Sequence, residues 1–159
     1  LKIKNILWEG KRKDILIEGK KILKISKEIK EKAGEEIEGK NLAAFPVFFN
    51  MHTHLAMTLF RGIGDDLPLK KWLLKKIWPR ELLLTREKIQ KGSEIGLREL
   101  KKSGTPFFCD MYWFPQETAK LVISHKMGAI LSVPFIDKVP LIFSKKFSIL
   151  YMSVKRKGD

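Results

Sequence analysis

A run of apolar residues that ends in two closely spaced histidines constrains this chain most. Residues 45–60 read Phe-Pro-Val-Phe-Phe-Asn-Met-His-Thr-His-Leu-Ala-Met-Thr-Leu-Phe, so strand-forming residues lead directly to His52 and His54. On an extended backbone, residues i and i+2 point to the same face. We therefore expect the two imidazoles to converge at the carboxyl end of a strand. Imidazole is the commonest side-chain ligand of zinc, so the pair would form half of a metal site. Two such histidines also occur as ordinary surface or core residues, and the residues that follow must decide between these alternatives.

Other segments predict a chain of alternating strands and helices. The apolar run at residues 42–50 predicts a strand buried on both faces, as in a parallel sheet. Residues 85–102 predict a helix capped by Thr85, and residues 115–125 predict a second helix. Residues 105–111 and 128–136 predict two more buried strands. Residues 1–42 instead predict a meander of short β-hairpins, which is too small to hold a core alone.

Residues 67–77 predict an amphipathic helix, with Trp72 on the apolar face and lysines on the other. On this pattern alone Trp72 and Trp78 are core anchors, and Glu81 is a solvated acid of the same region.

Three motifs resemble the amidohydrolase superfamily. They are Asn-Met-His-Thr-His-Leu at residues 50–55, Thr-Leu-Phe-Arg-Gly-Ile-Gly-Asp-Asp-Leu-Pro-Leu at 58–69, and Lys-Ser-Gly-Thr with Phe-Cys-Asp-Met-Tyr at 102–112. Within the superfamily they are similar to the branch that holds methylthioadenosine/S-adenosylhomocysteine deaminases and related chlorohydrolases. The resemblance runs from about Ile3 to about Asp137. Where the family has threonines in its second strand, this chain has Pro106 and Phe107, and proline removes a donor from a strand ladder.

The resemblance implies an α/β fold, a partial TIM (β/α)8 barrel of about three β/α units preceded by part of a small β-sandwich. Residues 1–42 would belong to the sandwich, residues 43–137 to the barrel, and residues 138–159 would be an unmatched basic tail. A complete barrel needs about 250 residues. We therefore expect this 159-residue chain to be the amino-terminal piece of a longer enzyme, cut short by a frameshift or a truncation.

The resemblance also implies a function and a set of site residues. Members of this branch are metal-dependent hydrolases of carbon–nitrogen bonds other than peptide bonds, here a deaminase of a purine nucleoside-like small molecule. His52 and His54 would bind the metal, with zinc expected and iron or nickel equally compatible with imidazole. Trp72 would line the substrate pocket and Glu81 would bind the ribose hydroxyls, whereas no catalytic acid or base matches a residue of this chain. Either a second chain or copy completes the barrel, or the chain is a non-catalytic fragment or accessory subunit.

A net charge of +14 raises the alternative of a nucleic-acid-binding module. The charge is interspersed, however, with 12 basic and 8 acidic groups in residues 1–42 and 12 and 6 in residues 43–102. Only residues 138–159, with 6 basic groups and 1 acidic group, concentrate it. We therefore expect no nucleic-acid partner. No apolar run is long enough to span a membrane, and a single cysteine, Cys109, fits the reducing cytoplasm.

Overall fold

The computed structural model describes residues 1–134 and the backbone of residues 152–154. The chain divides into two compact units, Leu1–Pro46 and Val47–Asp159. The tail predicted at residues 138–159 lies outside the described residues, apart from the backbone of residues 152–154. In the part of the chain that is described, no helix is both long and apolar enough to cross a bilayer.

The first unit is a four-stranded sheet with the strand order β3-β2-β1-β4. Its strands are β1 (Lys2–Trp8), β2 (Lys11–Glu18), β3 (Lys21–Ser26) and β4 (Glu36–Glu38). The antiparallel pairs β1–β2 and β2–β3 are the hairpins that the sequence predicts, and β4 adds a parallel neighbour to β1 that it does not. The first hairpin turns through Glu9 and Gly10, both with positive φ, as a tight two-residue hairpin turn requires.

The second unit contains a sheet with the order β5-β6-β7-β8. Its strands are β5 (Phe49–Thr53), β6 (Phe107–Met111), β7 (Gly128–Ser132) and β8 (Met152–Val154). The first three are parallel neighbours, whereas β8 runs antiparallel to β7. Parallel strands need long crossover connections, and helices supply them here. The unit is therefore a mixed α/β structure, as the sequence predicts.

The crossover between β5 and β6 carries a 3₁₀ segment (Leu55–Phe60) and helices α1 (Leu69–Trp72), α2 (Trp78–Glu81) and α3 (Arg86–Lys102). A π-helical turn, Leu73–Ile77, joins α1 to α2. Pro79 has no backbone N–H, which breaks the α-helical ladder at this point. In the same turn, the Arg80 side chain donates a hydrogen bond to the Lys76 carbonyl oxygen at 2.8 Å.

Helix α4 (Pro115–Ser124) connects β6 to β7. Helices α3 and α4 pack on the sheet and enclose the largest buried apolar cluster of the described residues. It consists of Leu55, Leu97, Phe108, Ala119, Val122, Met127, Ala129 and Leu131. The predicted cap of α3 is present, because the Thr85 side chain accepts a hydrogen bond from the Lys88 amide at 3.4 Å. This buried cluster fixes the helices against the sheet whose strands β5 and β6 lead to the cavity described below.

The expectation that residues 42–50 form a strand buried on both faces is wrong. The strand begins only at Phe49, and Val47, Phe48 and Phe49 are 53%, 61% and 64% exposed. Strand β5 is the first in the sheet order, and β6 is its one neighbour among the described strands. Its apolar side chains therefore lack the cover that a strand inside a parallel sheet receives.

Pro106 does not interrupt a strand. Strand β6 begins one residue later, and the Pro106 carbonyl accepts a hydrogen bond from the Gly128 amide at 2.9 Å. The proline thus occupies a position where no ladder donor is needed.

We predict that Gly92→Ala destabilises the second unit. A Cβ atom at Gly92 would lie 2.5 Å from the Ala56 carbonyl oxygen and 2.9 Å from Leu59 Cγ. The 3₁₀ segment would have to move away from α3. We expect a loss of about 1–2 kcal/mol in the free energy of unfolding, measured with urea, after the helix-propensity gain of alanine is subtracted. Gly34→Ala is the control, because nothing lies within 4 Å of a Cβ there. An equal effect of both substitutions would contradict this packing.

A second prediction concerns acid stability. The Glu117 side chain is buried and accepts hydrogen bonds from Lys120 at 2.7 Å, Gln90 at 2.7 Å and Arg86 at 2.9 Å. These donors, Lys120 foremost, lower the pKa of Glu117 to about 2. A lowered folded-state pKa contributes stability above the unfolded pKa of 4.5, and that contribution disappears as the pH falls toward 2.

We therefore expect Glu117→Gln to reduce the free energy of unfolding by about 1–2 kcal/mol at pH 6. The difference from the unsubstituted chain should shrink between pH 4.5 and pH 2. Glu99→Gln, which removes the exposed partner of Arg61, should change little. A difference for Glu117→Gln that stays constant down to pH 2 would refute the assignment.

Candidate functional site

A cavity of about 510 Å³ opens in the second unit at the carboxyl end of β6. Three of the four site residues predicted from the sequence line it: His54, Trp72 and Glu81. The fourth, His52, lies outside the lining but beside His54. The rest of the wall is mostly apolar and comes from the 3₁₀ segment, α1 to α2 and the ends of β6 and β7. It consists of Met57, Leu69, Leu73, Ile77, Trp78, Met111, Tyr112, Trp113 and Pro134.

The two histidines converge at the end of β5. Their ring centroids lie 5.0 Å apart, with the ring planes at 77°. His54 Nδ1 lies 2.8 Å from the carbonyl oxygen of Met111. A carbonyl can only accept, so Nδ1 carries the hydrogen and donates it, which leaves the Nε2 lone pair for a ligand. This is the arrangement by which backbone carbonyls orient metal-binding histidines.

Asp110 holds the segment that carries His54. Its Oδ1 accepts hydrogen bonds from the Thr53 hydroxyl at 2.7 Å and from the Leu55 amide at 2.6 Å. The Asp110 side chain is buried, and this burial raises the pKa of its carboxyl while the two donors partly oppose the rise. The residues on both sides of His54 are thus tied to the end of the neighbouring strand.

Glu81 is paired with a tyrosine that the sequence analysis does not include among the site residues. The Tyr112 hydroxyl donates to Glu81 Oε1 at 2.7 Å, and both side chains are less than 10% exposed. Burial, reinforced by the nearby Glu81 charge, raises the pKa of Tyr112 far above its ordinary value of 10. Tyr112 therefore keeps its proton and acts as a donor. The interpretation of Glu81 as a solvated helix acid does not hold in this structure.

Trp72 lines the cavity with its ring, and its indole N–H has a hydrogen-bond acceptor outside the cavity lining. The indole Nε1 donates to the Ile63 carbonyl at 2.7 Å, which fixes the ring against the loop after the 3₁₀ segment. Trp78, which the sequence suggests to be a core anchor only, also lines the cavity. The π-helical turn between the two tryptophans adds a residue to the helical repeat, so both reach the same side.

The histidine pair fits part of a metal site. Two imidazoles at this spacing, one of them oriented through Nδ1, are suitable ligands for a divalent metal. Within residues 1–134, no group of three or more histidine, cysteine, aspartate or glutamate side chains is arranged to hold a metal ion. The two imidazoles would thus account for two of the four or five ligands that a catalytic metal commonly has.

Comparison with known proteins identifies relatives of this chain. It is 49% identical over 137 residues to a 5'-deoxyadenosine deaminase of Methanocaldococcus jannaschii. The matched region covers 85% of this chain and 33% of the relative. It is 53% identical over 125 residues to a 5-methylthioadenosine/S-adenosylhomocysteine deaminase of Dictyoglomus turgidum, covering 78% and 29%. The chain therefore spans about a third of the length of these curated relatives.

Solved structures show the same likeness. An adenosine deaminase from Xanthomonas campestris with bound zinc superposes with a TM-score of 0.67 at 26% identity, over 76% of this chain and 28% of that one. The zinc complex of an atrazine chlorohydrolase from Arthrobacter aurescens has a TM-score of 0.71 at 18% identity, over 86% and 38%, and this likeness concerns the fold alone. The model of the amidohydrolase family matches residues 43–139, which contain both histidines and the cavity. The chain belongs to the amidohydrolase family.

Proposed function

We propose that this chain supplies part of the metal site and of the nucleoside pocket of a hydrolytic deaminase acting on a purine nucleoside-like small molecule. One observation carries the proposal: His54, Trp72 and Glu81 line a single cavity of about 510 Å³, with His52 beside them. A cavity of this size, apolar with a few convergent polar groups, suits a molecule as large as a nucleoside. The names of the relatives, deaminases of adenosine-type compounds, support the same chemistry.

The proposed roles follow from the side chains. His52 and His54 would hold a divalent metal, with zinc favoured by the zinc-bound structural neighbours. Such a metal, when bound, lowers the pKa of a water ligand and so supplies a hydroxide nucleophile. Glu81 would accept hydrogen bonds from the ribose 2'- and 3'-hydroxyls, because a carboxylate can bind both members of a vicinal diol. Trp72 would offer an apolar ring surface to the nucleoside.

The charged residues that line the cavity favour an uncharged substrate over a phosphorylated one. Among its described lining residues, Glu81 is the one carboxylate, and none is lysine or arginine. A phosphorylated nucleotide would place its charge near Glu81, and no lysine or arginine of the described lining would compensate that charge. An uncharged nucleoside avoids this cost. We therefore propose an uncharged nucleoside as the substrate class, in preference to a nucleotide.

We further propose the architecture that the sequence suggests: residues 1–42 as part of a β-sandwich and residues 43–137 as the first three β/α units of a barrel. The parallel order β5-β6-β7 supports it. The exposed apolar side chains of Val47, Phe48 and Phe49 support a covering partner for β5, and a second chain or copy would fill that position. A cytoplasmic location stays a prediction.

A second candidate is a non-catalytic accessory chain. The observation in its favour is that the described residues offer two metal ligands and no further cluster. The two candidates differ in ammonia release from adenosine in the presence of zinc. Release that disappears in His52→Ala supports the deaminase, whereas nucleoside binding without release supports the accessory role.

We predict that zinc binding depends on both proposed ligands. His52→Ala and His54→Ala should each weaken zinc binding at least tenfold, because one imidazole alone is a poor site. Isothermal titration with zinc measures this, and elemental mass spectrometry of the purified protein gives the stoichiometry. His125→Ala is the matched control, since His125 pairs with Glu94 at 2.8 Å, outside the cavity. Equal losses in all three variants would show that zinc binds nonspecifically.

We also predict that Glu81→Gln weakens adenosine binding about tenfold or more, because hydrogen bonds to a charged acceptor contribute about 1.5–3 kcal/mol. The intrinsic fluorescence of the tryptophans that line the cavity reports the binding. Glu99→Gln, a carboxylate of the second unit outside this cavity, should leave it unchanged. Adenosine that binds equally well to both variants would exclude Glu81 from the site.

A further inference from the structure

Tyr112 lies between the proposed metal ligand His54 and the proposed ribose-binding residue Glu81. Its hydroxyl donates to Glu81 Oε1 at 2.7 Å, and its ring centroid lies 6.0 Å from that of His54. Its own amide donates to the Ser132 carbonyl on β7 at 3.1 Å. The residue before it, Met111, accepts the hydrogen bond from His54. One dipeptide at the end of β6 therefore contacts the metal ligand through its backbone and the ribose-binding carboxylate through its side chain.

Glu81 depends on this contact for its orientation. It is the last residue of α2, at the C-terminal end of the continuous helical run Leu69–Glu81, and helix ends fray and hold their side chains less firmly than helix interiors do. The carboxylate is 8% exposed, and a buried charge without a hydrogen-bond donor is costly. With Oε1 engaged by Tyr112, the remaining acceptor capacity of the carboxylate lies mostly on Oε2. Tyr112, in turn, is 4% exposed, follows β6 directly and is hydrogen-bonded to β7 through its amide. Its hydroxyl is therefore a fixed donor that restricts the positions of the carboxylate.

We propose that Tyr112 is a positioning residue, which orients Glu81 toward the ribose diol and holds it at a set distance from the His54 metal ligand. This inference rests on the proposed function, because the diol is the ligand that Glu81 is proposed to bind. Tyr112 touches the carboxylate and acts on the nucleoside through it. Its effect is therefore selective for ligands that carry the diol.

The selectivity gives the test. Tyr112→Phe removes one hydroxyl and keeps the ring that fills the site. Adenosine and 2',3'-dideoxyadenosine differ by the diol, and tryptophan fluorescence reports the binding of both. The unsubstituted chain should favour adenosine about tenfold or more. Tyr112→Phe should weaken adenosine binding about tenfold, as loss of an orienting partner does, and leave dideoxyadenosine binding within about twofold.

Two controls separate positioning from general stability. In a Glu81→Gln background, Tyr112→Phe should have no further effect on the preference for adenosine, because the two residues act through one contact. Ser93→Ala removes a buried hydroxyl that pairs with Thr118 at 3.0 Å, outside the cavity, and should leave both affinities unchanged. A fall in both affinities in Tyr112→Phe, or in neither, would overturn the proposal.

Failure of the proposed function gives a different result. If the unsubstituted chain binds adenosine no better than dideoxyadenosine, Glu81 does not recognise the diol, and the positioning role falls with it. If the unsubstituted chain discriminates and Tyr112→Phe discriminates equally well, only the inference about Tyr112 is wrong.

A second measurement does not depend on Tyr112→Phe folding. The chain has two tyrosines, so Tyr151→Phe leaves Tyr112 as the only one and allows its labelling as 3-fluorotyrosine. Tyr112 itself lines the cavity, so both nucleosides should shift its ¹⁹F resonance, but adenosine should shift it clearly further, because only its diol binds the carboxylate that the tyrosine hydroxyl contacts. A resonance that ignores both nucleosides, or responds equally to both, would overturn the positioning role.

Discussion

The hydrogen bonds accepted by the buried Asp110 carboxylate are the interaction on which the site depends. It binds the Thr53 hydroxyl and the Leu55 amide, at 2.7 and 2.6 Å, and so determines where the chain goes after β5. The direction of His54 follows from this path, and the Met111 carbonyl next to Asp110 then selects which imidazole nitrogen faces outward. Because burial disfavours the charged form of Asp110, the two donors are needed to offset its cost. The structural carboxylate of Asp110 thus positions His54, the proposed ligand.

The end of β6 organises the site as a whole. Three successive residues, Asp110, Met111 and Tyr112, contact the loop after β5, the imidazole of His54 and the carboxylate of Glu81. Glycines of α3 let the 3₁₀ segment approach closely, as at Gly92, which keeps that loop against a firm surface. In parallel α/β structures the carboxyl ends of strands are the usual place for such groups, because side chains from neighbouring strands converge there.

The sequence predicts what depends on local pattern. The hairpins of the first unit, helix α3 with its Thr85 cap, and the strands that carry Phe108 and Leu131 all follow from periodicity and turn residues. The exposure of Phe48 and Phe49 was not predicted, because an apolar run does not show whether another element covers it. The π-helical turn before Pro79 was also not predicted, since the proline alone does not specify how the helix adapts.

The candidate site shows the same division. The spacing of His52 and His54 predicts their convergence, and a family resemblance adds Trp72 and Glu81, which the fold brings to one cavity. Tyr112 was not predicted as a site residue because its partner lies 31 positions away, and no local pattern joins the two. Its place at the end of a predicted strand was the one available signal.

The tautomer of His54 tests the central claim most directly. Long-range ¹H–¹⁵N correlation spectra of the metal-free chain distinguish the two neutral forms of imidazole. We predict that His54 carries its hydrogen on Nδ1, bonded to the Met111 carbonyl, and that the Nε2 resonance moves when zinc is added. A hydrogen on Nε2, or an Nε2 resonance that zinc leaves unchanged, would contradict the claim that the end of β6 prepares His54 as a metal ligand.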